Sequence, residues 1–140
     1  MRVLFDTNVL LDILLEREPY IEVASKLFSL VDNGRIKGSI CATAVTTAYY
    51  MTAKGLGSKR AHDQVRTLLS MFEVATVDGG VLQRALDSGL SDYEDSVAHE
   101  AANAAGIGAI VTRNAQDFAR ATIPVFEPHE LLAAIASRRD

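Results

Sequence analysis

Five short apolar runs recur along the chain, at 2–5, 36–41, 72–77, 109–112 and 123–126, and most are separated by helix-length segments. This alternation is the strongest constraint on the fold. Successive parallel strands need a crossover of a dozen or more residues, usually helical, whereas antiparallel neighbours can be joined by a tight turn. Helical periodicity and stop signals place helices at 8–15, 19–33, 43–53, 58–71, 78–89 and 92–105, and one from Pro128 onward. Ile21, Ala24, Leu27, Phe28 and Val31 form an apolar stripe in the second of these, and Asn33-Gly34 closes it. Ser58 and Ser91 suit N-caps. The pattern predicts an α/β fold: a three-layer sandwich whose central, mostly parallel sheet of four to five strands is flanked by helices. Residues 1–140 read as a single domain.

At 49% hydrophobic and 23% charged, the chain has enough apolar surface for a core and is not disordered. No apolar run approaches the roughly 20 residues of a membrane span. Asp6 interrupts the amino-terminal apolar run, so no signal peptide is read there. The lone cysteine, Cys41, excludes an internal disulfide and any multi-cysteine zinc site. Together these predict a cytoplasmic protein with no membrane association. A net charge of −4 speaks against nonspecific coating of nucleic acid, though a nuclease whose acids are neutralised by metal is compatible with it.

Three acidic groups stand at element termini. Asp6 follows the first strand, Asp117 lies five residues beyond Thr112 at the end of another, and Asp92-Tyr93-Glu94-Asp95 opens a helix. The carboxyl edge of a parallel sheet is where α/β folds place their ligands. Asp92 and Asp95 share a helical face, with His99 one turn further, while Glu94 points elsewhere and is read as solvated. First-turn acids also complement the helix dipole, so this cluster alone decides little. Two carboxylates about 4 Å apart repel by roughly 4 kcal/mol at an effective dielectric near 20. If Asp6, Asp95 and Asp117 converge, they must bind protons, cationic side chains or metal. Arg113 is the only obvious neighbouring cation. Oxygen ligands without paired histidines or cysteines favour Mg²⁺ or Mn²⁺ over zinc.

In order along the chain, three segments resemble the motifs of PIN-domain proteins, the metal-dependent ribonuclease fold of VapC-type toxins. They are Val3-Leu4-Phe5-Asp6-Thr7-Asn8-Val9-Leu10-Leu11-Asp12, then Asp92-Tyr93-Glu94-Asp95 with its alanine-rich helix, then Ile110-Val111-Thr112-Arg113-Asn114-Ala115-Gln116-Asp117-Phe118. The resemblance implies a divalent-metal-dependent endoribonuclease acting as the toxin of a toxin–antitoxin pair. Asp6, Asp95 and Asp117 would hold one or two Mg²⁺ or Mn²⁺ ions, with Asp92 as a further direct or water-mediated ligand. Asn8 would hydrogen-bond Asp6 or a bound water, or else cap the first helix. Thr112 and Asn114 would meet metal-bound water or substrate, and Arg113 a phosphate. The family commonly carries a glutamate in the helix after the second strand, where Thr47 stands here. A hydroxyl supplies no charge, which implies weaker metal binding and weakened activity, as in a subgroup lacking that acid.

The implied partners are RNA, an antitoxin protein and a second copy of the chain. The stripe at 21–31 and the run Tyr49-Tyr50-Met51 could supply such a protein interface, although core packing is the default for both. His99 reads as a partly buried structural histidine, and His62 and His129 as surface residues. The competing reading is a noncatalytic PIN-like module that binds RNA or protein, and Thr47 favours it. A phosphotransfer enzyme with Asp6 as nucleophile would want an acid where Asn8 stands.

Overall fold

A computed structural model describes residues 1–138; the sequence reads 137–140 as a frayed, solvated end, of which Arg139 and Asp140 lie outside the described residues. All five expected strands form: β1 (Arg2–Phe5), β2 (Lys37–Cys41), β3 (Glu73–Ala75), β4 (Ala109–Val111) and β5 (Val125–Phe126). Every ladder is parallel, in the order β3-β2-β1-β4-β5. The edge strands β3 and β5 are shorter than the apolar runs that contain them. Each has only one neighbour to hold it, and Val74 of β3 is left exposed.

Among the described residues the helices are α1 (Thr7–Leu14), α2 (Ile21–Asp32), α3 (Ala42–Leu56), α4 (Ser58–Met71), α5 (Gly79–Leu86), α6 (Tyr93–Ala104) and α7 (Pro128–Ala136). They form two packed groups, α1–α4 with α7 and α5 with α6. Right-handed crossovers put these groups on opposite faces of the sheet, which gives the three-layer α/β sandwich. A short 3-10 turn, Ala115–Phe118, follows β4; it is too brief to carry helical periodicity and was not anticipated.

Phe5, Phe28 and Phe72 meet edge to face, with ring centroids 5.1–5.8 Å apart. Gly38 makes room for them, since a Cβ there would come within 2.6 Å of the Phe72 ring. The α2 stripe is consumed by this core at Ala24, Leu27 and Val31, so that part of the expected partner surface is absent. In α3 the default of core packing fails instead: Tyr50 is 72% exposed and Met51 41%.

Three caps differ from expectation. Asp6, not Asn8, caps α1, accepting from the Thr7 N–H. Gly57, at φ +90°, precedes α4 in place of a Ser58 cap. Asp92 itself, rather than Ser91, caps α6 by accepting from the Asp95 N–H.

Candidate metal centre

The strand order explains where the site lies. From β1 the chain moves outward through β2 to β3, then returns to add β4 on the other side of β1. The crevice between the carboxyl ends of β1 and β4 is therefore the topological switch point, where open parallel sheets bind ligands. Phe5 pairs with Val111, so the next residues, Asp6 and Thr112, emerge side by side. The 3-10 turn brings Asp117 to the same crevice, anchored by the buried Phe118. The amino terminus of α6 arrives from the opposite layer with Asp92 and Asp95. Asp6, Asp92, Asp95 and Asp117 border one cavity of about 340 Å³, with Asn8, Thr47 and Asn114 also on its wall.

Glu94 is exposed, as expected, yet it borders the same cavity instead of pointing away from it. The helical-wheel argument weakens in a first turn. Every Cα–Cβ bond tilts toward the helix amino terminus, so acids on different faces still lean toward whatever caps that end. Five carboxylates and one base, Arg17, therefore line the cavity.

Electrostatics register this crowding. Burial pushes the Asp95 carboxyl up to about 7, reinforced by the charges of Asp6, Asp92, Asp117 and Glu94. Burial also raises Asp6 above its ordinary 3.8, against the hydrogen bonds from Thr112 and Thr7, with Asp92 and Asp117 adding to the rise. Such groups bind more protons folded than unfolded, so from about pH 4 to about pH 7 they make stability fall as pH rises. Without divalent ions, the denaturation midpoint should be lower at about pH 8 than at about pH 5, and Asp95→Asn should narrow the gap. An unchanged gap in that variant would mean that Asp95 is not held among like charges.

The donor set fits a hard cation. Asp6 accepts one hydrogen bond on each oxygen, from Thr7 N–H at 2.8 Å and Thr112 Oγ1 at 2.8 Å, which orients it and leaves lone pairs available. Among the described residues nothing donates to the side chains of Asp95 or Asp117. No three His, Cys, Asp or Glu side chains among those residues are gathered tightly enough to enclose an ion unaided. Mg²⁺ keeps several of its waters and takes few direct protein ligands, so an ion here would be held largely through water.

Two expected substrate contacts are committed elsewhere. Thr112 is fully buried; its hydroxyl donates to Asp6 and accepts from Asn8 Nδ2 at 3.3 Å and from Asn114 N–H at 3.1 Å. One donor and two acceptor sites are then used, so it acts as a strut for Asp6. Asn8 is part of this strut, also accepting from the Arg113 N–H, and no hydrogen bond joins its side chain to Asp6. Arg113 donates to Asp12 twice, Nε to Oδ2 at 2.7 Å and Nη2 to Oδ1 at 3.3 Å, and its guanidinium lies 3.8 Å from the Tyr20 ring centroid. It is not a free phosphate ligand.

Asp12 was the missed residue, although a signal existed. It is an acid on the apolar face of α1, and its 1% exposure demands a cationic partner. Thr47 keeps a place on the cavity wall while donating to the Thr43 carbonyl at 3.2 Å. His99 lies outside the cavity, its Nε2 accepting from the Thr122 N–H and its Nδ1 3.0 Å from Glu100, a structural arrangement.

A family model described as PIN domain matches residues 2–116. No curated protein matches the chain. Among solved structures, a toxin–antitoxin complex from Klebsiella pneumoniae aligns at 23% identity and TM-score 0.68, covering 91% of this chain and 98% of that one. VapBC2 from Rickettsia felis, bound to a promoter DNA fragment, aligns at 15% identity and TM-score 0.68 with the same coverage. PAE2754 from Pyrobaculum aerophilum aligns at 18% identity and TM-score 0.64 over 99% of this chain and all of that one. At these identities the structural likeness concerns the fold.

Proposed function

This chain belongs to the PIN-domain family, and on that footing we propose that it is a divalent-metal-dependent endoribonuclease, the toxin of a toxin–antitoxin pair. The observation that carries the proposal is the gathering of Asp6, Asp92, Asp95 and Asp117 around one cavity at the switch point of the sheet. Fold relatives from Klebsiella pneumoniae and Rickettsia felis, a toxin–antitoxin complex and VapBC2, support an antitoxin partner. Exposed Tyr50 and Met51 on α3 offer surface to that partner or to a second copy. Among the described residues no helix is long and apolar enough to cross a membrane.

In this reading Asp6, Asp95 and Asp117 hold Mg²⁺ or Mn²⁺, with Asp92 and Glu94 in support. A bound cation supplies an activated water and neutralises charge on the scissile phosphate. The residues of the chain do the positioning. Thr112 and the Thr7 N–H fix the Asp6 carboxylate. Asn114, exposed at the cavity rim, is free to meet the sugar-phosphate backbone. Thr47 adds an oxygen without charge, which favours modest metal affinity and keeps a noncatalytic RNA-binding module as the second reading.

The test is cleavage of single-stranded RNA by the purified chain, freed of any antitoxin, with Mn²⁺, with Mg²⁺ and with chelator. Metal-dependent cutting that Asp95→Asn abolishes is the expected outcome. RNA binding without cutting in either metal would favour the noncatalytic module, and chelator-insensitive cutting would overturn the metal assignment.

A further inference from the structure

A second cavity, of about 370 Å³, opens beside the acidic one and shares Asn114 with it. Tyr20, 42% exposed, forms one wall, and Arg113, Glu127 and His129 contribute polar groups. The Arg113 guanidinium sits 3.8 Å from the Tyr20 ring centroid. It is itself pinned by two hydrogen bonds to Asp12, a carboxylate with 1% exposure, so the layer beneath the ring is fixed before any ligand arrives.

Resting on the ribonuclease reading, we infer that this cavity is a nucleobase subsite, in which an unpaired RNA base next to the scissile phosphate stacks against Tyr20. Single-stranded RNA is recognised by stacking splayed bases on aromatic side chains and by hydrogen bonds to their edges. Tyr20 supplies the ring; Asn114, Glu127 and His129 supply donors and acceptors around it. Because Asn114 borders both cavities, a base in the second lies next to a phosphate in the first. The layered arrangement of Asp12, Arg113 and Tyr20 lowers the ordering cost of binding. Arg113 acts here through the ring and makes no contact with phosphate.

The experiment measures binding of a fluorescent single-stranded RNA oligonucleotide, with Mg²⁺ present, to full-length protein carrying Asp95→Asn to suppress cutting. Adding Tyr20→Ala should weaken binding by about 5- to 100-fold, the range for loss of one base–aromatic stack. Tyr20→Phe should bind like the background protein. Mn²⁺ titration of Tyr20→Ala without the Asp95 change should match the parent, and its melting temperature should fall by no more than about 4 °C, the loss of one cation–π contact, which separates a subsite from a structural strut. Undiminished RNA affinity in Tyr20→Ala overturns the inference, as does a parallel fall in Mn²⁺ affinity. If neither the Asp95→Asn background nor the parent protein binds RNA, the ribonuclease reading has failed, and the subsite with it.

Discussion

Asp6→Asn is expected to lower metal-dependent RNA cleavage by at least about 100-fold while raising the melting temperature of the metal-free protein. The activity bound follows from position. Residues that merely orient a metal ligand typically cost about 10- to 100-fold when changed, and a direct ligand should cost no less. The stability effect runs the other way because burial and the neighbouring charges of Asp92 and Asp117 hold the Asp6 carboxyl above its ordinary value. At neutral pH its ionised form is then a liability to the folded state, which a neutral amide removes. Asn preserves shape, and its one oxygen can still cap α1, but its amide nitrogen cannot accept from Thr112, so one of the two contacts is given up. Melting in chelator and cleavage in Mn²⁺, taken on the same preparation, check both halves. Full activity would remove Asp6 from the metal centre, and a lower melting temperature would mean that its cap and strut contacts outweigh the repulsion.

Arg113→Met should cost about 3–5 kcal/mol of folding stability, the usual penalty for leaving one member of a buried ion pair alone. The stranded group is Asp12, whose side chain is 1% exposed and whose only other cation among the described residues, Arg17 Nη1, stands 4.0 Å away. The double replacement Asp12→Leu with Arg113→Met should recover most of the loss, because two apolar groups of similar size need no partner. Urea denaturation of the parent, both single variants and the double variant gives the coupling energy directly. A loss under about 1 kcal/mol for Arg113→Met would show the pair to be a weak surface-type contact. The pair also fastens α1 to the segment that carries Asp117, so the single variant should lose Mn²⁺ affinity even under conditions where it remains folded.

Much of the architecture is legible in the chain because local rules carry it. Apolar runs of strand length, helical stripes and Gly34 after Asn33 fix element type and approximate extent, and crossover length then requires parallel pairing. Expectation erred at the ends of elements, where the competing groups are adjacent in sequence. Asp92 takes the cap expected of Ser91, and Asp6 the one open to Asn8, because each side chain reaches a free N–H of its own first turn. The acids were visible for a similar reason: each sits at or just beyond the end of an element or in the first turn of one, which depends only on nearby sequence.

What the sequence determined by itself is the set of elements and the positions of the acids upon them. Strand order is different, since no local signal says that β4 returns to lie against β1. That one choice puts Thr112 beside Asp6 and creates the crevice. Tertiary structure also reassigned the cation, turning Arg113 from the expected phosphate contact to Asp12, a hundred and one positions away. The physical reason is common to both. A buried carboxylate or an unpaired strand edge must be satisfied by whichever group the fold brings near, and spatial neighbours remote in sequence leave no periodic trace.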